Sequence, residues 1–430
     1  MADQVVQVTK TGYGSRLMGS IKGIGFGLLL FLASFFVLFS NEGTDSKSEI
    51  LVTSQEIVAD SVGNEGDGAF VRLAGKLETS DSIGDGLFLN PGNYLVVDRK
   101  VEMYGWKEVS SSKTETKLGG SQETTTTYSY EKEWSSSPAS SSSFNNSAGH
   151  ENPSMRYAAS TSKASSARVG AYDVDTSSLA MPSASALSLA DGMVDLSSVN
   201  GAYVEGNYVY VPVSGGSVSS SETVTSSTTT NFFEDDVAEE NDFFGEEVDA
   251  ENENDFFGET TTVVTSGRNV ATSPEVGDLR ITYSVLNSGV DGTLFGKKEG
   301  AMIKPYVATE FDNENIYRFY NTSFEGALGA EDSAHGMKVW ILRLVGFLMM
   351  WTGLSMVLAP LSVLLDIIPF LGAVSRGFVG MITFITALVL SIVTILVSML
   401  LHSMVAMVVA VVVVLGLMFV VVKNKGKKNA

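Results

Sequence analysis

The chain has 430 residues, a formal charge of −21 and no cysteine. So acidic a balance argues against nucleic acid, whose phosphates need Lys and Arg to neutralise them. The missing thiols exclude disulfides, thiolate metal sites and cysteine nucleophiles.

The first 22 residues carry Lys10, Arg16 and Lys22. An apolar run follows, Gly23 to Ser40. A bilayer core about 30 Å thick needs roughly 20 apolar helical residues to cross it. The run ends in Phe39-Ser40-Asn41-Glu42-Gly43 without the small-residue site of a cleaved signal. It therefore reads as a retained span, and its basic flank predicts a cytoplasmic N-terminus. Gly19, Gly23 and Gly27 recur at four-residue steps, a spacing that lets helix backbones approach within or between chains. The plain alternative is that glycine is common in spans.

Residues 41–338 predict a large luminal or periplasmic domain, β-rich or α+β. Ala69 to Leu77 and Asn93 to Tyr104 alternate apolar and polar residues between turn signals, as strands do. Leu279 to Leu286 is another strand. Ile303 to Thr309 is a further one, confined to an edge by Pro305. Glu325 to Met337 reads as a helix leading into the second span. Two stretches predict disorder. Residues 110–166 are rich in Ser and Thr and bury little apolar surface. Residues 214–265 contain Asn231 to Glu259, with thirteen acidic residues and no basic one. Within that segment Phe232-Phe233, Phe243-Phe244 and Phe256-Phe257 repeat beside acids. The bland reading is a duplicated, solvated insertion. The sharper one is a set of docking motifs in which paired Phe fill a pocket and acids steer a basic partner.

The C-terminal block predicts spans at 339–358, 378–400 and 403–422, with a Lys-rich cytoplasmic tail at 423–430. Between the first two, residues 359–377 hold Pro360, Asp366, Pro369 and Arg376, which suggests an interfacial or re-entrant stretch. The fold class is thus a four-span α-helical anchor, one span N-terminal and three C-terminal, carrying a large β-rich extramembrane domain. Both termini are expected in the cytoplasm.

The chain offers little catalysis. His335 and His402 flank apolar runs. His150, in Gly149-His150-Glu151-Asn152-Pro153, is the one candidate acid or base in the domain, and a lone His is more often a hydrogen-bonded turn residue. No nucleophile elbow, phosphate loop, dinucleotide fingerprint or zinc helix is present. No catalytic, cofactor or metal residues are assigned.

Several segments together resemble the LUMA family, transmembrane protein 43. They are Gly23 to Gly43, Val71 to Leu77, Val101-Glu102-Met103-Tyr104-Gly105-Trp106, Tyr128 to Trp134, Gly149 to Ser154 and Pro274 to Arg280. The insertion at 214–265 has no counterpart in that pattern. The resemblance implies an integral protein of the endoplasmic reticulum and inner nuclear membrane in animals, or of the inner (plasma) membrane in prokaryotes. It also implies self-association and membrane-protein partners, and no catalytic residues. The motif aromatics Tyr104, Trp106, Tyr128, Tyr130 and Trp134 read as a cross-strand cluster, or as an exposed platform for lipid or a neighbouring subunit.

The leading reading is a non-enzymatic membrane-organising scaffold, a homo-oligomer in contact with the bilayer. A channel or transporter subunit is the second, although the last spans are almost uniformly apolar. A membrane-anchored enzyme using His150 is the third.

Overall fold

The computed structural model describes residues 4–64, 66–213, 268–311 and 313–402. The acidic insertion with its Phe-Phe repeats, the expected span at 403–422 and the lysine tail lie outside the described residues.

Three of the described helices are long and apolar enough to cross a membrane: Tyr13–Asn41 (α1), Phe324–Leu365 (α3), and one ending at His402 (α4). Helix α1 has 29 residues and is roughly 43 Å long at about 1.5 Å per residue. It begins at Tyr13, well before the expected start at Gly23. A short helix, Lys47–Val52 (α2), is capped by the Ser46 side chain. Helix α3 starts under a Ser323 cap and continues through Pro360 to Leu365. Proline removes one ladder hydrogen bond, a loss that helices in a bundle tolerate. Helix α4 begins at Pro369, where no intrahelical N–H is needed. The expected separate segment at 359–377 is therefore the end of α3, a tight turn at Asp366 and the start of α4.

Among the described residues the β domain holds an eight-stranded, a seven-stranded and a two-stranded sheet. Leu279–Asn287 belongs to the first and Val290–Glu299 to the second. The turn between them uses Gly289 at φ +86°. Phe70–Glu78 pairs with Val290–Glu299 in the second sheet. Val71, Leu73, Leu77 and Leu294 pack there with Leu95 and Leu286. A second core gathers Val101, Met103, Val209, Ile281 and Tyr283. A third joins the domain to the helices: Ile50 and Leu51 of α2 meet Phe70, Phe295 and Ala327 of α3. Pro305 splits the predicted edge strand into Met302–Lys304 and Tyr306–Ala308.

The Ser/Thr-rich region corrects the sequence reading. Residues 110–166 are not structureless: Tyr94–Thr116 and Gln122–Ser135 form one long antiparallel hairpin, and Ser160–Lys163 adds another strand. Low apolar content suggested disorder, yet threonine suits a pleated strand. Hydroxyl pairs such as Ser112–Thr126 at 2.8 Å and Thr114–Thr124 at 2.9 Å link the arms. The N-terminal strand Gln4–Thr11 then pairs with Gln122–Ser129 of the second arm. Sequence reasoning expected no strand before the first span; Gln4–Thr11 is one, held by the second hairpin arm.

Candidate functional site

The helix bundle and the hairpin tip that meets it hold most of the long-range polar contacts of the membrane part. Helix α1 buries Gly27, Ser34, Leu38 and Asn41. Gly27 lies against Gly353 and Met356 of α3, and Gly346 lies against Leu38. Around this crossing Leu38, Met350 and Ala387 are buried among Phe31, Phe35 and Trp351. Gly19 and Gly23 sit differently, since a Cβ on either meets nothing within 4 Å. The glycine register thus divides: Gly27 is used inside the chain, and Gly19 and Gly23 are open among the described residues.

Charged residues fasten both ends of the bundle. Beside the β domain, Arg343 donates to both carboxylate oxygens of Glu42, at 2.8 and 2.7 Å. This bidentate pair ties α3 to the end of α1. Asn41 donates to the Val339 carbonyl at 3.1 Å. Asp332 accepts from Ser48 and Ser46. Glu331 accepts from Arg318 at 2.6 Å and from the Tyr320 hydroxyl at 2.5 Å. Burial, then that hydrogen bond, pushes the Tyr320 hydroxyl upward. His402, at the end of α4, packs on Phe39 with ring centroids 4.7 Å apart.

At the opposite end Asp366 is fully buried and accepts from Arg16 of α1 and Arg376 of α4. Arg376 is ten residues from Asp366 in the chain, while Arg16 is 350 residues away and was missed. The hairpin tip closes on this cluster. Gly119 donates to the Ile367 carbonyl at 3.1 Å, and Arg16 donates to the Gly120 carbonyl. The tip therefore reaches the end of the bundle remote from the β domain.

The motif aromatics lie on the hairpin. Tyr104 stands opposite Trp134, with centroids 5.3 Å apart. Arg280 lies over Trp134 at 4.8 Å and over Tyr208 at 5.1 Å, and pairs with Glu102 at 2.5 Å. Trp106 and Tyr130 enclose the His150 ring, at 4.6 and 3.9 Å. Tyr128 reaches Gln7 of the N-terminal strand at 3.4 Å. Glu133 pairs with Lys107 at 2.9 Å. Asn152, from the Gly149 to Ser154 motif, accepts from the Trp106 amide at 2.7 Å and donates to its carbonyl at 2.8 Å.

The missed residues carry a sequence signal. Arg16, Arg343 and Asp366 are isolated charges at or inside apolar runs, where a partner is required. Gly346 and Gly353 are seven residues apart, two helical turns on one face.

The family profile described as Transmembrane protein 43 matches residues 103–404. This chain belongs to the transmembrane protein 43 family. It is similar to Transmembrane protein 43 of Rattus norvegicus, 26% identical over 385 residues, 85% of this chain and 81% of that protein. The Homo sapiens protein is 26% identical over 381 residues, 84% of this chain and 80% of that one. No solved structure matches. The match takes in the hairpin, the Asp278 strand entry, α3 and α4. Family membership makes this an integral membrane protein, and the names of these relatives carry no enzymatic activity.

Proposed function

We propose that this chain is a non-enzymatic scaffold that organises membrane by self-association, through its spans and its β domain. The observation that carries the reading is the divided glycine register on α1. Gly27 is spent on the intramolecular crossing, while Gly19 and Gly23 leave a shallow strip open to another helix. The Ser46–Asp332 fastening and the packing of Ile50 and Leu51 with Phe70, Phe295 and Ala327 support it further, because they couple the domain to the bundle as one unit. Contacts made by the domain then bear on the spans.

The proposed layout has four spans and both termini in the cytoplasm, with the Arg16–Asp366 end of the bundle at that face. By family resemblance the membrane is the endoplasmic reticulum or inner nuclear membrane in a eukaryote and the inner membrane in a prokaryote. The motif aromatics and the acidic Phe-Phe repeats are proposed contact surfaces for membrane-protein partners.

Co-expression of two differently tagged copies tests self-association. Capture through one tag should recover the other from mild detergent, and Gly19→Leu with Gly23→Leu should reduce that recovery severalfold. Failure to recover the second tag at any detergent level would refute the reading.

A further inference from the structure

We propose that neighbouring copies of this chain close the open edges of the hairpin ribbon, N-terminal strand to hairpin arm, at the depth of the spans. The proposal rests on the self-association argued above and says where the copies join.

The N-terminal strand and the two hairpin arms form a three-stranded ribbon, from the row Val5–Tyr128–Ser110 to the row Thr11–Gln122–Thr116. Its tip is bonded to Ile367 and Arg16, at the end of the bundle remote from the β domain. The ribbon therefore occupies the same depth as the apolar helices. Both faces of the two hairpin arms are polar: Ser112, Thr124 and Thr126 lie on one, and Ser111, Lys113 and Thr127 on the other, where Val6 and Val8 of the N-terminal strand stand exposed beside them.

The edges matter more than the faces. Near the domain this chain covers the outer edge of the first arm. The Tyr104 amide donates to the Asp278 carbonyl and its carbonyl accepts from Gly277, each at 2.9 Å. Asn152 does the same for Trp106. Strand alternation then aims the backbone groups of Ser110, Ser112 and Thr114 outward as well. Among the described residues no strand pairs with that stretch, nor with the outer edge of Gln4–Thr11. Hydrocarbon cannot satisfy such groups, and open sheet edges do not face lipid. Lipid is thereby excluded as the neighbour.

A second copy fits. The two open edges share the same rows and run in the same direction, toward the tip. Copies related by rotation about an axis parallel to the bundle, on its ribbon side, meet as parallel strands. Each addition leaves one edge of each kind free until a ring closes. The ribbons then lie inside, while exposed Phe26, Leu29 and Phe36 of α1 face lipid outside.

The cysteine-free chain makes the test direct. Val6→Cys is combined with Ser111→Cys, and Val8→Cys with Lys113→Cys. Within one chain each pair is separated by a whole strand, roughly 9–10 Å, beyond the ~7 Å limit for a disulfide. Oxidation in membranes should give a ladder of dimers and larger species, absent from each single-cysteine variant. A product that stops at the dimer would overturn ring closure. Monomers alone, from a protein still multimeric by mass, would overturn the ribbon junction and leave the scaffold reading standing. A protein monomeric by mass would remove both. As a second variant, Ser110→Pro deletes one outward N–H and spares both the ladder and the hydroxyl pairs to the second arm. It should lower the multimer mass without lowering the unfolding temperature, and an unchanged multimer would count against the junction.

Discussion

Gly27 of α1 and Gly353 of α3 meet backbone to backbone. A Cβ on Gly353 would sit 2.7 Å from the Gly27 carbonyl oxygen, and a Cβ on Gly27 would sit 2.9 Å from the Gly353 carbonyl oxygen. Neither obstacle is a flexible side chain, so the helices would have to separate. Gly27→Leu and Gly353→Leu are each expected to destabilise the folded protein by about 2–3 kcal/mol, the cost of overpacking. Gly23→Leu should change the unfolding temperature little. Thermal unfolding of the three variants in one detergent checks the contrast, and equal loss in all three would contradict the crossing described.

The β domain has its own buried charge. Asp85 accepts from the amides of Leu87, Phe88 and Leu89, from Arg99 at 2.8 Å and from the Tyr283 hydroxyl at 2.9 Å. Burial alone would raise its pKa, but the Arg99 guanidinium and the other donors hold it below the usual value. A depressed folded pKa stabilises the fold at every pH above the unfolded value of about 3.9. That contribution is lost as pH falls from there through the folded pKa. Asp85→Asn should cost about 3 kcal/mol at pH 7, and the gap from the parent protein should shrink on acidification. Unfolding at pH 7 and pH 3 measures both.

The acidic insertion is stapled at its neck. Asp278 accepts from the Val213 amide at 2.8 Å on one side, and from Arg268 at 2.5 and 2.7 Å on the other. Replacing residues 214–267 by a short Gly-Ser linker should shift the unfolding temperature by about 2 °C or less. Asp278→Ala should cost about 1–3 kcal/mol, because buried donors lose their acceptor. A large loss on deletion would show that the insertion packs on the domain.

Asp366 is the single carboxylate between two arginines, Arg16 and Arg376. Asp366→Ala leaves both cations facing each other and should destabilise the bundle by about 3–5 kcal/mol. It should also free the hairpin tip. Faster proteolysis at the Lys117 turn, relative to the parent protein, reports that release; an unchanged rate would mean the tip is held by other contacts.

The apolar runs and the alternating strands were legible because burial demands them. Leu279 to Leu286 and Ala69 to Leu77 put apolar side chains on one face and appear as strands within a residue of the expected limits. The hairpin beyond Tyr104 was not legible. From Ser110 to Thr127 its side chains are chiefly Ser, Thr, Lys, Glu and Gln, and its order there comes from backbone pairing and hydroxyl ladders, which leave no hydrophobic period. The N-terminal strand is eight residues long and gains its meaning from a partner over a hundred residues away. Charges such as Arg16 and Asp366 were visible individually, but only the folded bundle sets them side by side.

The central claim is self-association, and the mass of the purified protein in nanodiscs tests it most directly. A defined multimer that falls apart when Gly19 and Gly23 become Leu is the predicted result. A clean monomer across a tenfold range of protein-to-lipid ratio would contradict it.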